Sequence, residues 1–73
     1  MSMSNAPAPA VQNLAPLDEL ARAELRALVE REGELRVMRK FGLSRTSIAR
    51  GAAGFPLFHG TREVILAGLR QHR

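Results

Sequence analysis

Apolar residues recur at three- and four-residue intervals along most of the chain, the spacing of helices that each bury one face. Leu17, Leu20, Ala21, Leu25 and Leu28 make the first such stripe. They predict a helix that starts near Pro16 and stops at Gly33. Pro suits a first helical turn, and Asp18 and Glu19 favour the positive end of the helix dipole. The acids and arginines of this segment fall mostly on the opposite face. A short second helix is predicted over Glu34 to Phe41, with Leu35, Val37, Met38 and Phe41 as its apolar positions. Gly42 ends it, and Ser44 offers a capping oxygen to the next helix. That third helix runs from Arg45 to about Ala53, turns Ile48 and Ala52 inward, and closes at Gly54. Phe55-Pro56-Leu57-Phe58 reads as an apolar connector, with Phe55 and Phe58 expected in the core. A fourth helix starts near Gly60 or Thr61 and reaches about Gln71, with Ile65 and Leu69 inward and Val64 and Leu66 flanking. No segment alternates long enough to predict a strand. The fold class is therefore all-α, a small four-helix domain over 16–73. Residues 1–15, rich in Ser, Ala, Pro and Asn, read as a disordered tail.

Composition narrows what such a domain does. At 73 residues the chain holds one small domain, for which dimerisation or a partner is a common source of extra stability. There is no Cys, and His59 and His72 lie too far apart to suggest a metal site, so neither metal nor cofactor is expected. No apolar run approaches the ~18 residues of a membrane span. The segment Met1 to Pro16 lacks the basic start of a secretory signal, so the expected location is the cytoplasm, at the nucleoid. Residues 1–16 carry no charged side chain. Residues 18–34 hold six acids and three Arg, net −3, and residues 35–73 hold eight basic residues and one acid, net +7. A basic module joined to an acidic helix points to a polyanion, of which nucleic acid is the commonest. No nucleophile–base pair, carboxylate dyad or phosphate loop stands out, so an enzyme is not expected.

The stretch Val37 to Arg50 carries the chemistry. Gly42 permits the left-handed backbone of a sharp turn between two helices. Leu43 plugs that turn into the core, and Val37, Phe41 and Ile48 hold the helices at a wide angle. Ser44 caps the second helix of the pair, leaving N–H groups that can meet a phosphate. The helix then presents Arg45, Thr46, Ala49 and Arg50 outward, in a form that fits the major groove.

This stretch, FGLSRTSIAR in particular, resembles the helix-turn-helix of bacterial repressors. Thr61-Arg62-Glu63-Val64-Ile65 and Leu69 resemble the third helix of the DNA-binding domain of the lactose-repressor family, and the layout is similar to phage Cro and repressor domains. The likeness covers residues 17–71 in helix order, with its specific part at 34–69. It implies base contacts from Arg45, Thr46 and Arg50, and phosphate contacts near Ser44, Ser47 and Thr61. Arg36, Arg62 and His59 join the phosphate-contact candidates, although Arg36, Arg39 and Lys40 read equally well as solvated surface. Met38 stands where that family usually has Ala, and Gly51 where it usually has a larger apolar residue. The two are expected to compensate each other's volume.

Three functions fit. The first is a sequence-specific double-stranded DNA binder, a transcriptional regulator working as a homodimer. The second is a protein-binding adaptor, such as an antitoxin or phage accessory factor, whose helix 17–32 or N-terminal tail grips another protein. The third is a non-specific nucleoid or recombination accessory protein.

Overall fold

The computed structural model describes residues 14–72, which form four α-helices. These are α1 (Glu19–Glu32), α2 (Glu34–Phe41), α3 (Arg45–Ala53) and α4 (His59–Gln71). The all-α fold matches the sequence reading. Most of the expected tail, residues 1–13, lies outside the described residues, and the two that are described belong to the fold's edge. Leu14 is exposed, and Ala15 exchanges a pair of backbone hydrogen bonds with Leu57. That single bridge ties the entering chain to the α3–α4 connector.

The first helix begins three residues later than Pro16 suggests. Asp18 is its N-cap, and the carboxylate accepts the Ala21 N–H at 2.8 Å. A capping carboxylate needs an extended backbone, and Asp18 has it, so the preceding Pro16 and Leu17 stay outside the helix. Leu17 is nevertheless buried. Leu20 is 65% exposed and does not join the stripe. With the helix starting at Glu19, the inward positions are Ala21, Leu25 and Leu28.

Gly33 alone separates α1 from α2. Its φ of 91° and ψ of 148° belong to a region open essentially to Gly, and they turn the chain within one residue. Gly42, at φ 69°, ends α2 in the left-handed conformation, and its N–H donates to the Met38 carbonyl at 2.8 Å. Lys40 Nζ lies 2.8 Å from Glu32 Oε1 and links the last turns of α1 and α2. The ammonium so close outweighs partial desolvation and holds the Glu32 carboxyl below its usual range.

The core is Leu17, Ala21, Leu25, Leu28, Val37, Phe41, Ile48, Leu57, Ile65 and Leu69, so every helix contributes. Each fully buried aliphatic side chain contributes about 1.5–3 kcal/mol against exposure. Leu35, expected to be an apolar anchor of α2, is exposed, because Val37 and Phe41 already occupy that helix's inward side. Phe55 and Phe58 are also exposed, contrary to the expectation that they enter the core. The connector turns only Leu57 inward, where its backbone pairs with Ala15. The fourth helix starts at His59, slightly before Gly60.

Two glycines set how closely the helices approach. A methyl built on Gly68 would stand 2.7 Å from Phe41 Cε1, so the Phe41 ring lies directly on the α4 backbone. A methyl on Gly51 would stand 3.2 Å from Ile65 Cδ1 and 3.4 Å from both Leu25 Cδ2 and Leu57 Cδ1. The expected volume exchange between Gly51 and Met38 is therefore corrected. The space beside Gly51 is filled by Ile65, Leu25 and Leu57, and Met38 is not among its nearest neighbours.

This packing makes a specific prediction. Gly51→Ala gains up to about 1 kcal/mol of helix propensity but must push Ile65 Cδ1 aside, and overpacking costs about 1–3 kcal/mol. The net expectation is a loss of stability. Ile65→Val removes that same Cδ1 atom and alone costs about 0.5–1.5 kcal/mol. In the Gly51→Ala background the Ile65→Val change should cost little or nothing, while Met38→Ala should bring no recovery. Thermal melts of the single and double variants measure this coupling. An equal cost of Ile65→Val in both backgrounds would contradict it.

Candidate nucleic-acid interface

Helix α3 is anchored on one side and bare on the other. Ile48 and Gly51 are buried, whereas Arg45, Thr46, Ala49, Arg50 and Ala53 are all exposed. These five positions recur at helical spacing and form one continuous outer face. Arginines stand at positions 45 and 50, and the residues between and beyond them include two alanines. The small side chains keep the helix backbone accessible to a close approach.

The start of α3 is built by Ser44, which has an extended backbone and whose Oγ accepts the Ser47 N–H at 3.2 Å. The Ser44 hydroxyl in turn donates to Ser47 Oγ at 3.2 Å. The motif therefore has the cap that its sequence predicts. Leu43 is partly buried against the core and fixes the turn.

The end of α3 is held by α1. Arg26 Nη1 donates to the Ala52 carbonyl at 3.0 Å, and the Arg22 guanidinium lies against Gly54, whose φ is 88°. Two cations one turn apart on α1 thus meet the last turn of α3, where carbonyls lack helical partners and the dipole is negative. The sequence reading assigned the α1 arginines to the outer face. Their reach across to another helix leaves no periodic signature in the sequence.

Both outward arginines have intramolecular partners. Arg45 Nε lies 3.0 Å from Glu34 Oε1, at the first turn of α2. The Arg50 guanidinium lies 5.3 Å from the centre of the Phe55 ring, within cation–π range. Phe55 thus has a surface role that its apolar character concealed.

The remaining candidates divide into separate places. Ser47, Arg50 and Thr61 line one groove together with Leu14, Leu57 and Phe58, so the start of α4 borders α3 there. Arg62 is directed elsewhere. Its Nη1 donates to the Ala15 carbonyl at 3.4 Å, and its Nη2 lies 3.4 Å from His59 Nδ1. The two side chains thus form a local pair that secures the entering chain. Arg36 is exposed and lines a different groove with Glu32, Glu34 and Lys40. Glu30 and Glu34 border α3 on the side opposite that of Thr61, beside Ala49 and Ala52. Sequence reasoning missed this acidic flank because its residues come from the end of one helix and the start of the next.

No known protein family, curated protein or solved structure matches this chain. The likeness to repressor domains rests on the residues of the motif themselves.

The cap gives a direct check on how α3 is held. Ser44→Ala removes the acceptor for the Ser47 N–H and should cost about 1 kcal/mol. Ser44→Asp should keep the capping bond and retain stability. Urea unfolding of the two variants, read as a midpoint shift at constant slope, tests this. No loss in Ser44→Ala would show that the Ser44 cap contributes nothing to the fold.

Proposed function

We propose that this chain is a sequence-specific double-stranded DNA-binding protein that lays α3 in the major groove and acts as a transcriptional regulator at the nucleoid. One observation supports this reading above the others. The exposed face of α3 carries Arg45, Thr46 and Arg50 with alanines between and beyond them, on a helix whose start is capped by Ser44. Arg bonds a guanine edge at two points, Thr bonds several base edges, and Ala accepts the methyl group of thymine. Ser47 and Thr61 stand at the edge of that face, where phosphates flank a helix lying in the groove. The net charge of +7 over residues 35–73 supplies the attraction. Arg62 and His59 are weaker candidates for phosphate contact, because each already faces the other. The adaptor reading draws on the acidic helix 17–32 or the N-terminal tail; on α1 the large apolar side chain left exposed is Leu20, and a single exposed leucine is ordinary.

The proposed assembly is a homodimer, since one such helix reads only a few base pairs and paired half-sites need two. Phe58 is 66% exposed and Phe55 52%, with Leu14 and Val64 at 41% each. Leu14 and Phe58 line one groove, and an exposed apolar patch of that kind is what a subunit contact would cover. Sedimentation at micromolar concentration should give twice the 8.0 kDa chain mass, and Phe58→Ser should lower it to the monomer. A monomer both free and on DNA contradicts the dimer.

The reading itself is tested on a duplex selected from a random pool and on a scrambled copy, each at two salt concentrations. Arg45→Ala or Arg50→Ala should reduce selective binding by an amount equivalent to about 1–3 kcal/mol and affect the scrambled duplex far less. Arg36→Ala should weaken both alike, with a salt slope lower by roughly one unit. Should Arg45→Ala and Arg50→Ala both leave the selective-to-scrambled ratio unchanged in folded protein, α3 is not the reader.

A further inference from the structure

We infer that Glu34 is a specificity-determining residue that positions Arg45 for a base contact; this rests on the DNA-reading role proposed for α3. Arg45 is the first residue of α3, and its side chain is 69% exposed. A long side chain in that setting samples many rotamers and loses that freedom when it meets a base. The Glu34 carboxylate lies 3.0 Å from Arg45 Nε and restricts it beforehand. The choice of nitrogen matters. With Nε held, both terminal nitrogens of the guanidinium stay available, and that end of the fork matches the O6 and N7 acceptors of guanine.

The position of Glu34 is set independently of α3. It follows Gly33 and occupies the first turn of α2, where a carboxylate is favoured by the helix dipole. The pair is therefore a link from the α1–α2 corner to the tip of the reading helix. As a stabilising device it has little value, because exposed ion pairs contribute almost nothing to folding. As an affinity device it is counterproductive, because a carboxylate beside a DNA-facing helix repels phosphate. Orientation of Arg45 is the role that its geometry suits.

Glu30 provides an internal control. It lines the same groove as Glu34, beside Ala49 and Ala52, but the carboxylate at Arg45 is that of Glu34. Removing either acid takes one negative charge from the same flank of α3. Only one removal frees Arg45.

The test compares Glu34→Ala, Glu34→Gln and Glu30→Ala in the full chain, on the selected and scrambled duplexes. All three should bind scrambled duplex more tightly than the parent. Glu30→Ala should leave the selective-to-scrambled ratio unchanged. Glu34→Ala should lower it roughly three- to tenfold, part of the discrimination carried by a two-point arginine–guanine contact. Glu34→Gln keeps an oxygen acceptor for Nε and should retain most of the ratio. In the free protein, the Arg45 Nε–H resonance should move in Glu34→Ala and stay in place in Glu30→Ala, with melting temperatures alike. If Glu34→Ala and Glu30→Ala change the two duplexes identically, the inference is overturned while the DNA-reading role stands. If the parent chain discriminates between no duplexes at all, that role falls and the inference falls with it.

Discussion

The close seating of α3 at Gly51 is the contact on which the rest of the structure depends. Leu25 from α1, Ile65 from α4 and Leu57 from the connector all converge on the spot where a side chain at that position would stand, at 3.2–3.4 Å. Ile48 is buried as well, so the inner side of α3 is turned to the core. The outer side therefore bears no packing duty and is free to carry Arg45, Thr46, Ala49 and Arg50. The same seating brings the last turn of α3 to Arg22 and Arg26 of α1, whose positive charge suits the carbonyl end of the helix. A helix nine residues long would be marginal alone in water. It is held here by a serine at its start, an apolar seat along its side and two arginines at its end.

Charge around this helix is arranged unevenly. One flank has the carboxylates of Glu30 and Glu34, and the other has the groove shared by Ser47, Arg50 and Thr61. The two outward arginines are drawn to different partners, Arg45 to Glu34 and Arg50 to the face of Phe55. A surface built for non-specific attraction alone would gain from removing the acids. Their presence fits a helix whose side chains need fixed directions more than the largest possible charge.

Much of this fold was legible in the residue pattern. The bounds of α2 and α3 follow from Gly33, Gly42, Ser44 and Gly54, because backbone conformations open to Gly and a hydroxyl cap are local devices that leave local signatures. Nine of the ten core residues, Leu17, Ala21, Leu25, Leu28, Val37, Phe41, Ile48, Ile65 and Leu69, follow from helical spacing. What stayed hidden was long-range. Asp18 took the cap from a start expected at Pro16, and Leu20 and Leu35 were displaced to the surface by competing inward neighbours. Phe55 and Phe58 obeyed the connector's backbone pairing with Ala15 in place of their own hydrophobicity. In the candidate site, the outward residues of α3 were legible from periodicity. The Glu34–Arg45 pair, the Phe55–Arg50 stack and the turning of Arg62 toward Ala15 were not, since each joins residues whose meeting depends on how the elements pack.

The central claim is that the outer face of α3 is the surface that meets DNA. Amide chemical shifts of the labelled chain, followed while a duplex selected from a random pool is added, test this most directly. The largest changes should fall on Ser44 to Arg50 and on Thr61, with the exposed side of α1 little affected. Changes confined to α1, or none at any duplex concentration, would contradict the claim.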